Sequence, residues 1–202
     1  MKKAKSPKAA KPKSKAVGLA AFTNELSGAQ WVARFPGSSS VSDLTSPFRE
    51  NATKFIAAIR AGGGTVNVTA TLRPTERAFL MHTSFDIAKA TIQAADAPTQ
   101  PGVDINWVHP TDAQSIQAAQ DMVDGYGIVF RPAFPTKHSD GTAIDMNITW
   151  TGNLPIKNAD GSDATITSTP RDNGNTDLQN VGETYYVLKL VSDKPHWSDD
   201  GH

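Results

Sequence analysis

Two histidines and one carboxylate are the residues of this chain best suited to chemistry. His138 and Asp145 stand seven apart in HSDGTAID (138–145), and His196 lies in SDKPHW (192–197), three residues after Asp193. The chain has no cysteine, which excludes thiolate ligands and disulfides, so any metal must be held by imidazole and carboxylate. Two imidazoles and a carboxylate form a three-ligand set that leaves zinc an open position, as catalytic rather than structural zinc requires. Asp193 would then serve as the base for a metal-activated water. That chemistry is hydrolysis.

Further residues complete the candidate site. Arg73, at the end of the stretch TATLRP, is the cation expected to stabilise an oxyanion. Thr136, two residues before His138, could orient a ligand or a substrate group, and Trp197 is expected to pack beside the metal and wall the site. Gly141 would permit the tight turn that folds His138 back toward Asp145. His82 reads as a packing residue on a helix, His109 as a loop residue, and His202 as a competitor for the metal at a poorly anchored chain end.

These side chains need elements to position them. Ser46 and Pro47 read as the start of a helix whose Phe48, Ala52, Phe55, Ile56 and Ile59 recur at helical spacing until Gly62, Gly63 and Gly64 stop it. Val66, Val68, Ala70 and Leu72 alternate as a half-buried strand. A second helix is expected from near Pro74 through ERAFLMHTSFDIAKA, and a third after a capping box of Thr111 and Gln114, ended by Gly125 and Gly127. Ile128 to Phe130 reads as a short strand, and AIDMNITW (143–150) as the strand that carries Asp145 inward. Residues 151–182 are rich in turn signals and read as a hairpin followed by an irregular loop, either a rim for substrate or a surface decoration. TYYVLKLV (184–191) reads as the last strand, delivering Asp193 and His196 just beyond its end.

The motifs resemble those of a known family. HSDGTAID looks like the HxxGxAxD motif of the zinc peptidases that cut bacterial peptidoglycan, a group that includes D-alanyl-D-alanine carboxypeptidases and phage L-alanyl-D-glutamate endopeptidases and has the hedgehog-like metallopeptidase fold. SDKPHW resembles the second motif of that family, and ATLRPTERA (70–78) its upstream arginine segment. Between Arg73 and His196, the resemblance implies zinc bound by His138, Asp145 and His196, with Asp193 as general base and Arg73 as electrophilic helper. Thr136 stands where the family carries serine. Aspartate at 193, where the carboxypeptidases tend to use glutamate, resembles the phage endopeptidases more. The implied fold is α+β, a small antiparallel sheet carrying the zinc, and the periodicity adds about three flanking helices.

Length and charge bound the rest. At 202 residues the chain is expected to form one catalytic domain, residues 23–202, behind a lysine-rich tail, residues 1–22. Seven of the 20 basic residues fall within the first 15 positions, so 13 remain against 20 acids in the rest. Such a segment buries too little apolar surface to order itself and reads as disordered, either a solubilising tail or a weak dock for an anionic cell-envelope polymer. The body shows no basic and aromatic surface for nucleic acid, and no apolar run is long enough to span a membrane. AVGLAAF (16–22) does not form a standard secretory signal. The expectation is a monomeric zinc enzyme, made in the cytoplasm, that acts on the peptidoglycan peptide stem in the cell wall or periplasm after lysis or dedicated export. The competing expectation is a non-catalytic module that keeps the metal-site fold and binds the wall or a protein.

Overall fold

The computed structural model describes residues 24–202, so the expected disorder of the tail, residues 1–22, falls outside the described residues. The chain opens with a short strand β1 (Glu25–Leu26), then forms helix α1 (Phe48–Ala61), strand β2 (Thr65–Ala70) and helix α2 (Thr75–Ala88). Strand β3 (Ile105–Asn106) pairs in parallel with β1 before helix α3 (Asp112–Tyr126). The single helical turn α4 (Lys137–Asp140) leads into strand β4 (Ala143–Thr149), followed by the hairpin β5 (Leu154–Lys157) and β6 (Asp163–Ile166). Helix α5 (Thr176–Thr184) and strands β7 (Leu188–Lys189) and β8 (His196–Ser198) complete it. The architecture is α+β. Its main sheet is antiparallel throughout, in the order β2-β4-β8-β7.

Helix α1 forms where the sequence places it, and each of its five periodic apolar residues is buried. They face Ile144, Met146 and Ile148 of β4, which share one face of the strand because side chains alternate with period two. Phe55, Trp197, Leu178 and Val187 belong to the same core. A second core joins α2 and α3 around Phe79, Leu80, Ile87, Ala119 and Met122, with Trp31 and Trp107. Helix α3 opens as expected, the Thr111 hydroxyl accepting from the Gln114 amide. It ends at Gly127, in the left-handed region at φ 67°, while Gly125 lies inside the helix with Val32 against it.

Three expectations about the elements are corrected by the fold. Among the described residues five α-helices form instead of about three, because α4 is a single turn and α5 carries only Leu178 and Val181 as buried apolar residues, too few to announce a helical period. Asn175 caps α5 by accepting from the Leu178 amide, a signal hidden among the surrounding Asn, Asp and Gly. The expected strand 184–191 shrinks to Leu188–Lys189, since Thr184 and Tyr185 end the helix and Tyr186 turns the chain at φ 57°. Ile128–Phe130 is not a strand, and Val129 and Phe130 are 77% and 85% exposed.

The region 151–182 contributes no residue to the lining of the cavity that holds His138, Asp145 and His196. Leu154, Ile156 and Ile166 of its hairpin are buried in the first core, and its last part buttresses the sheet. Strand β8 covers β4 only as far as Asp145, which leaves the remaining edge of β4 to be satisfied otherwise. Buried Asn173 does this: its side-chain oxygen accepts from the Ile148 amide at 2.8 Å, and its amide donates to the carbonyls of Met146 and Lys194. Asn173→Ala would strand these buried groups, at about 1–3 kcal/mol for each one left unsatisfied. The variant should unfold at lower denaturant concentration than the parent, and an unchanged midpoint would contradict this role.

Candidate metal centre

Three local structures deliver the candidate ligands. His138 sits in α4, which Gly141 closes in the left-handed region at φ 71°, ψ 22°. A Cβ at Gly141 would stand 2.9 Å from the Thr45 methyl and 3.1 Å from its amide, so both the turn and the close approach require glycine. Thr45 secures this turn, its amide donating to the Gly141 carbonyl at 2.9 Å. Asp145 lies on β4, on the face opposite Ile144 and Met146, and its Cα partner across the ladder is His196 of β8. Directly opposed residues share a face, so the register brings the carboxylate and the second imidazole together.

The geometry is that of a ligand set. His138 Nε2 lies 3.2 Å and His196 Nδ1 3.1 Å from the same oxygen, Asp145 Oδ1. Each of the three residues offers one ligand atom, and all these atoms lie within 4.8 Å of one another. Metal–ligand bonds of about 2.0–2.1 Å in a tetrahedron imply ligand separations of about 3.3 Å, close to the two measured here. The outer nitrogens are spoken for: His138 Nδ1 donates to the Thr71 carbonyl at 2.7 Å and His196 Nε2 to the His202 carbonyl at 3.2 Å. A carbonyl only accepts, so each outer nitrogen carries the hydrogen, and a neutral ring then turns a lone pair toward Asp145. Two lone pairs and a carboxylate oxygen facing one another demand positive charge between them. A divalent cation supplies it, so the residues fit a metal.

Electrostatics follow from the same contacts. Where a hydrogen rather than an ion lies between each imidazole and Asp145, burial by itself would raise the carboxyl, but the hydrogen bonds from His138 and His196 outweigh it and hold the group well below the usual carboxylate range. Arg73 lines the cavity three residues beyond β2, its amide donating to the His138 carbonyl at 3.0 Å. Burial pushes its guanidinium down from the ordinary value, while Asp145 and Asp193 act to raise it. An arginine stays charged under such a shift, so a cation stands beside the acids.

Of the expected site residues, His138, Asp145, His196, Arg73, Asp193 and Thr136 all line one cavity of about 700 Å³. Asp193 is exposed, and its carboxylate has no hydrogen bond or ion pair among the described residues. Trp197 is the exception. Neighbouring strand residues point to opposite faces, so with His196 in the site Trp197 is fully buried in the first core, 5.4 Å from Phe55 between ring centroids. It supports the sheet from behind and walls nothing. His202 meets His196 through its backbone carbonyl.

Lys189 is a functional residue that sequence reasoning missed. Its ammonium donates to the carbonyls of Leu190 and Asp193 at 2.5 Å and of His196 at 3.0 Å, clamping the turn that carries Asp193 and His196. A lysine in an alternating strand reads as a solvated residue, so only the turn geometry exposes this role. The cavity wall formed by residues 126–133 was equally hidden, because its chemistry is mostly apolar. Among known proteins, no family model, curated protein or solved structure matches this chain.

Calorimetric titration with zinc should give one tight site per chain. His138→Ala should weaken it by more than the roughly 10–100-fold typical of losing an outer hydrogen-bond partner, and equal affinity would remove this centre. Without metal, pH should matter through Asp145. Its carboxyl is depressed below the ordinary 3.8, so its stabilisation is complete above that value and is lost as the pH falls toward the folded-state value. From about pH 5 to about pH 2, melting temperatures of the metal-free parent should fall more steeply than those of Asp145→Asn.

Proposed function

We propose that this protein is a zinc-dependent peptidase that hydrolyses an amide bond in the peptide stem of bacterial peptidoglycan, as an endolysin-like endopeptidase or a D,D- or L,D-carboxypeptidase. The observation that carries the reading is the shared cavity: three residues able to hold a metal, a carboxylate unpaired among the described residues and a half-buried arginine all line it. The substrate class comes from the resemblance of HSDGTAID and SDKPHW to the motifs of peptidoglycan peptidases. Among the described residues no helix is long and apolar enough to cross a membrane. We place its action in the cell wall or periplasm after lysis or dedicated export, with the lysine-rich tail docking to an anionic envelope polymer.

Each residue has a part in the reaction. His138, Asp145 and His196 hold the ion, which when bound would supply Lewis acidity toward a water and the scissile carbonyl. Asp193 accepts the proton of the attacking water and passes it to the departing amine, so the carboxylate is restored at the end of the cycle. Arg73 offsets the negative charge that develops on the carbonyl oxygen, inside a cavity where water screens it less. Thr136, at the start of α4, is placed to hold the substrate backbone beside His138. Lys189 keeps Asp193 and His196 in one fixed turn, so proton acceptor and ligand move together.

Digestion of purified bacterial sacculi should release new amino termini, stop with chelator and resume with zinc. Asp193→Ala should keep its zinc and lose about 10²–10⁴-fold in turnover, and Arg73→Ala about 10²–10³-fold. No zinc-restorable release by the parent, or full activity in Asp193→Ala, would end the proposal.

A further inference from the structure

The wall segment of the cavity, residues 128–135, has an unusual lack of internal support. Its last backbone tie on one side is the Ile128 amide donating to the Val123 carbonyl, and on the other the Thr136 carbonyl accepting from the Ser139 amide. Between these two points no backbone group of residues 129–135 bonds another backbone group among the described residues. Such a stretch would be expected to wander, yet it lines the same cavity as His138, Asp145 and His196. Something other than secondary structure must hold it.

Four side chains do so, two from α2 and two from the wall itself. Arg131 of the wall makes a two-pronged ion pair with Asp86, Nε to Oδ1 at 2.6 Å and Nη2 to Oδ2 at 2.7 Å. His82 Nδ1 donates to the Pro132 carbonyl at 2.7 Å, so its Nε2 is free to accept from Arg131 Nη2 at 3.0 Å. Phe134 adds an apolar anchor, 5.8 Å from the rings of both Phe79 and His82.

An ordinary surface ion pair contributes little, but this one differs. Asp86 is only 4% exposed, and a buried carboxylate is costly unless it is paired. Its two oxygens take both prongs of Arg131, the bidentate geometry that fixes direction as well as distance. Arg131 holds the Asp86 carboxyl below its ordinary range despite the burial. The core of α2 therefore demands Arg131, and Arg131 brings the wall with it.

We propose that His82, Asp86 and Arg131 form a latch that fixes the cavity wall over residues 128–135, and that they are positioning residues for the substrate bound there. The substrate part rests on the peptidase reading above. None of the three is a candidate metal ligand, and the wall carries Val129 and Phe130 into the lining of the cavity. Loss of the latch should loosen the side of the cavity that grips substrate while the metal and its chemistry remain.

Arg131→Ala is the decisive variant, since Arg131 is half-exposed and its removal takes no side chain out of the core, and Arg131→Ala combined with Asp86→Asn repeats the test without a buried unpaired charge. Because the chain has no cysteine, spin labels can be placed at Val129→Cys and Glu183→Cys alone, and their distance distribution reads the wall directly. Arg131→Ala should at least double the width of that distribution, and Arg131→Lys should recover only part of the order. On soluble stem-peptide fragments KM should rise at least fivefold, with kcat and zinc affinity changed less than twofold. An unchanged distribution, or a fall in kcat and zinc affinity with KM unmoved, would overturn the latch. Should the parent fail to digest walls, only the peptidase reading falls, and the distance measurement still decides whether the latch exists.

Discussion

The antiparallel register that sets Asp145 against His196 is the constraint on which this protein depends. With side chains alternating along each strand, a slip of one residue between β4 and β8 would carry the carboxylate or the imidazole to the other face. The hydrophobic core forbids the slip. Ile144, Met146, Ile148 and Trp197 are all essentially inaccessible on the opposite face, and any other register would expose some of them to water. Burying a single such side chain is worth about 1.5–3 kcal/mol, so a shifted register would forfeit several at once. The apolar face thus specifies the polar one, and the candidate metal centre is a by-product of core packing.

His138 is bound into this arrangement from outside the sheet. The turn of α4 brings it back over β4, and its outer nitrogen reaches the Thr71 carbonyl just beyond β2, so one imidazole ties α4 to the end of β2. Arg73 answers by bonding the His138 carbonyl from the same segment. Lys189 and Asn173 hold the remaining piece, the turn 190–196, from its two sides through carbonyl contacts. Both candidate imidazoles are therefore oriented by main-chain carbonyls, His138 by that of Thr71 and His196 by that of His202. This is the preorganisation a metal site needs if binding is not to spend its energy ordering the ligands.

Much of this was legible in the sequence where one signal dominated. Helix α1 carries five apolar residues at helical spacing and no competing pattern, and α3 carries its cap at Thr111 in plain view. The clustering of His138, Asp145 and His196 was legible because imidazoles and acids are rare enough for their spacing to carry information. Trp197 was misread for a physical reason: an aromatic beside a site residue suggests a wall, yet adjacency in a strand means opposite faces. Helix α5 escaped because its stability comes from Asn175 and from packing of Leu178 and Val181 rather than from a periodic stripe. The cavity wall escaped because its hold on the fold is a side-chain network linking positions 82, 86 and 131, and no local pattern records a contact across that distance.

The two carboxylates of the site illustrate how the fold can divide labour between identical groups. Asp145 is hemmed in, one of its oxygens engaged by two imidazoles, whether through an ion or through hydrogens, and either contact favours its ionised form even where burial opposes charge. A group so committed can hold a cation but has no capacity to take a proton near neutrality. Asp193, on a turn clamped through its backbone by Lys189, keeps its side chain unpaired among the described residues, at the cavity surface. Tying the backbone while leaving the carboxylate free fixes where the acceptor stands without consuming its basicity. On the proposed reading this is why the acid nearer the solvent, and not the one in the sheet, is suited to move protons: catalysis needs a group whose position is fixed and whose lone pairs are not.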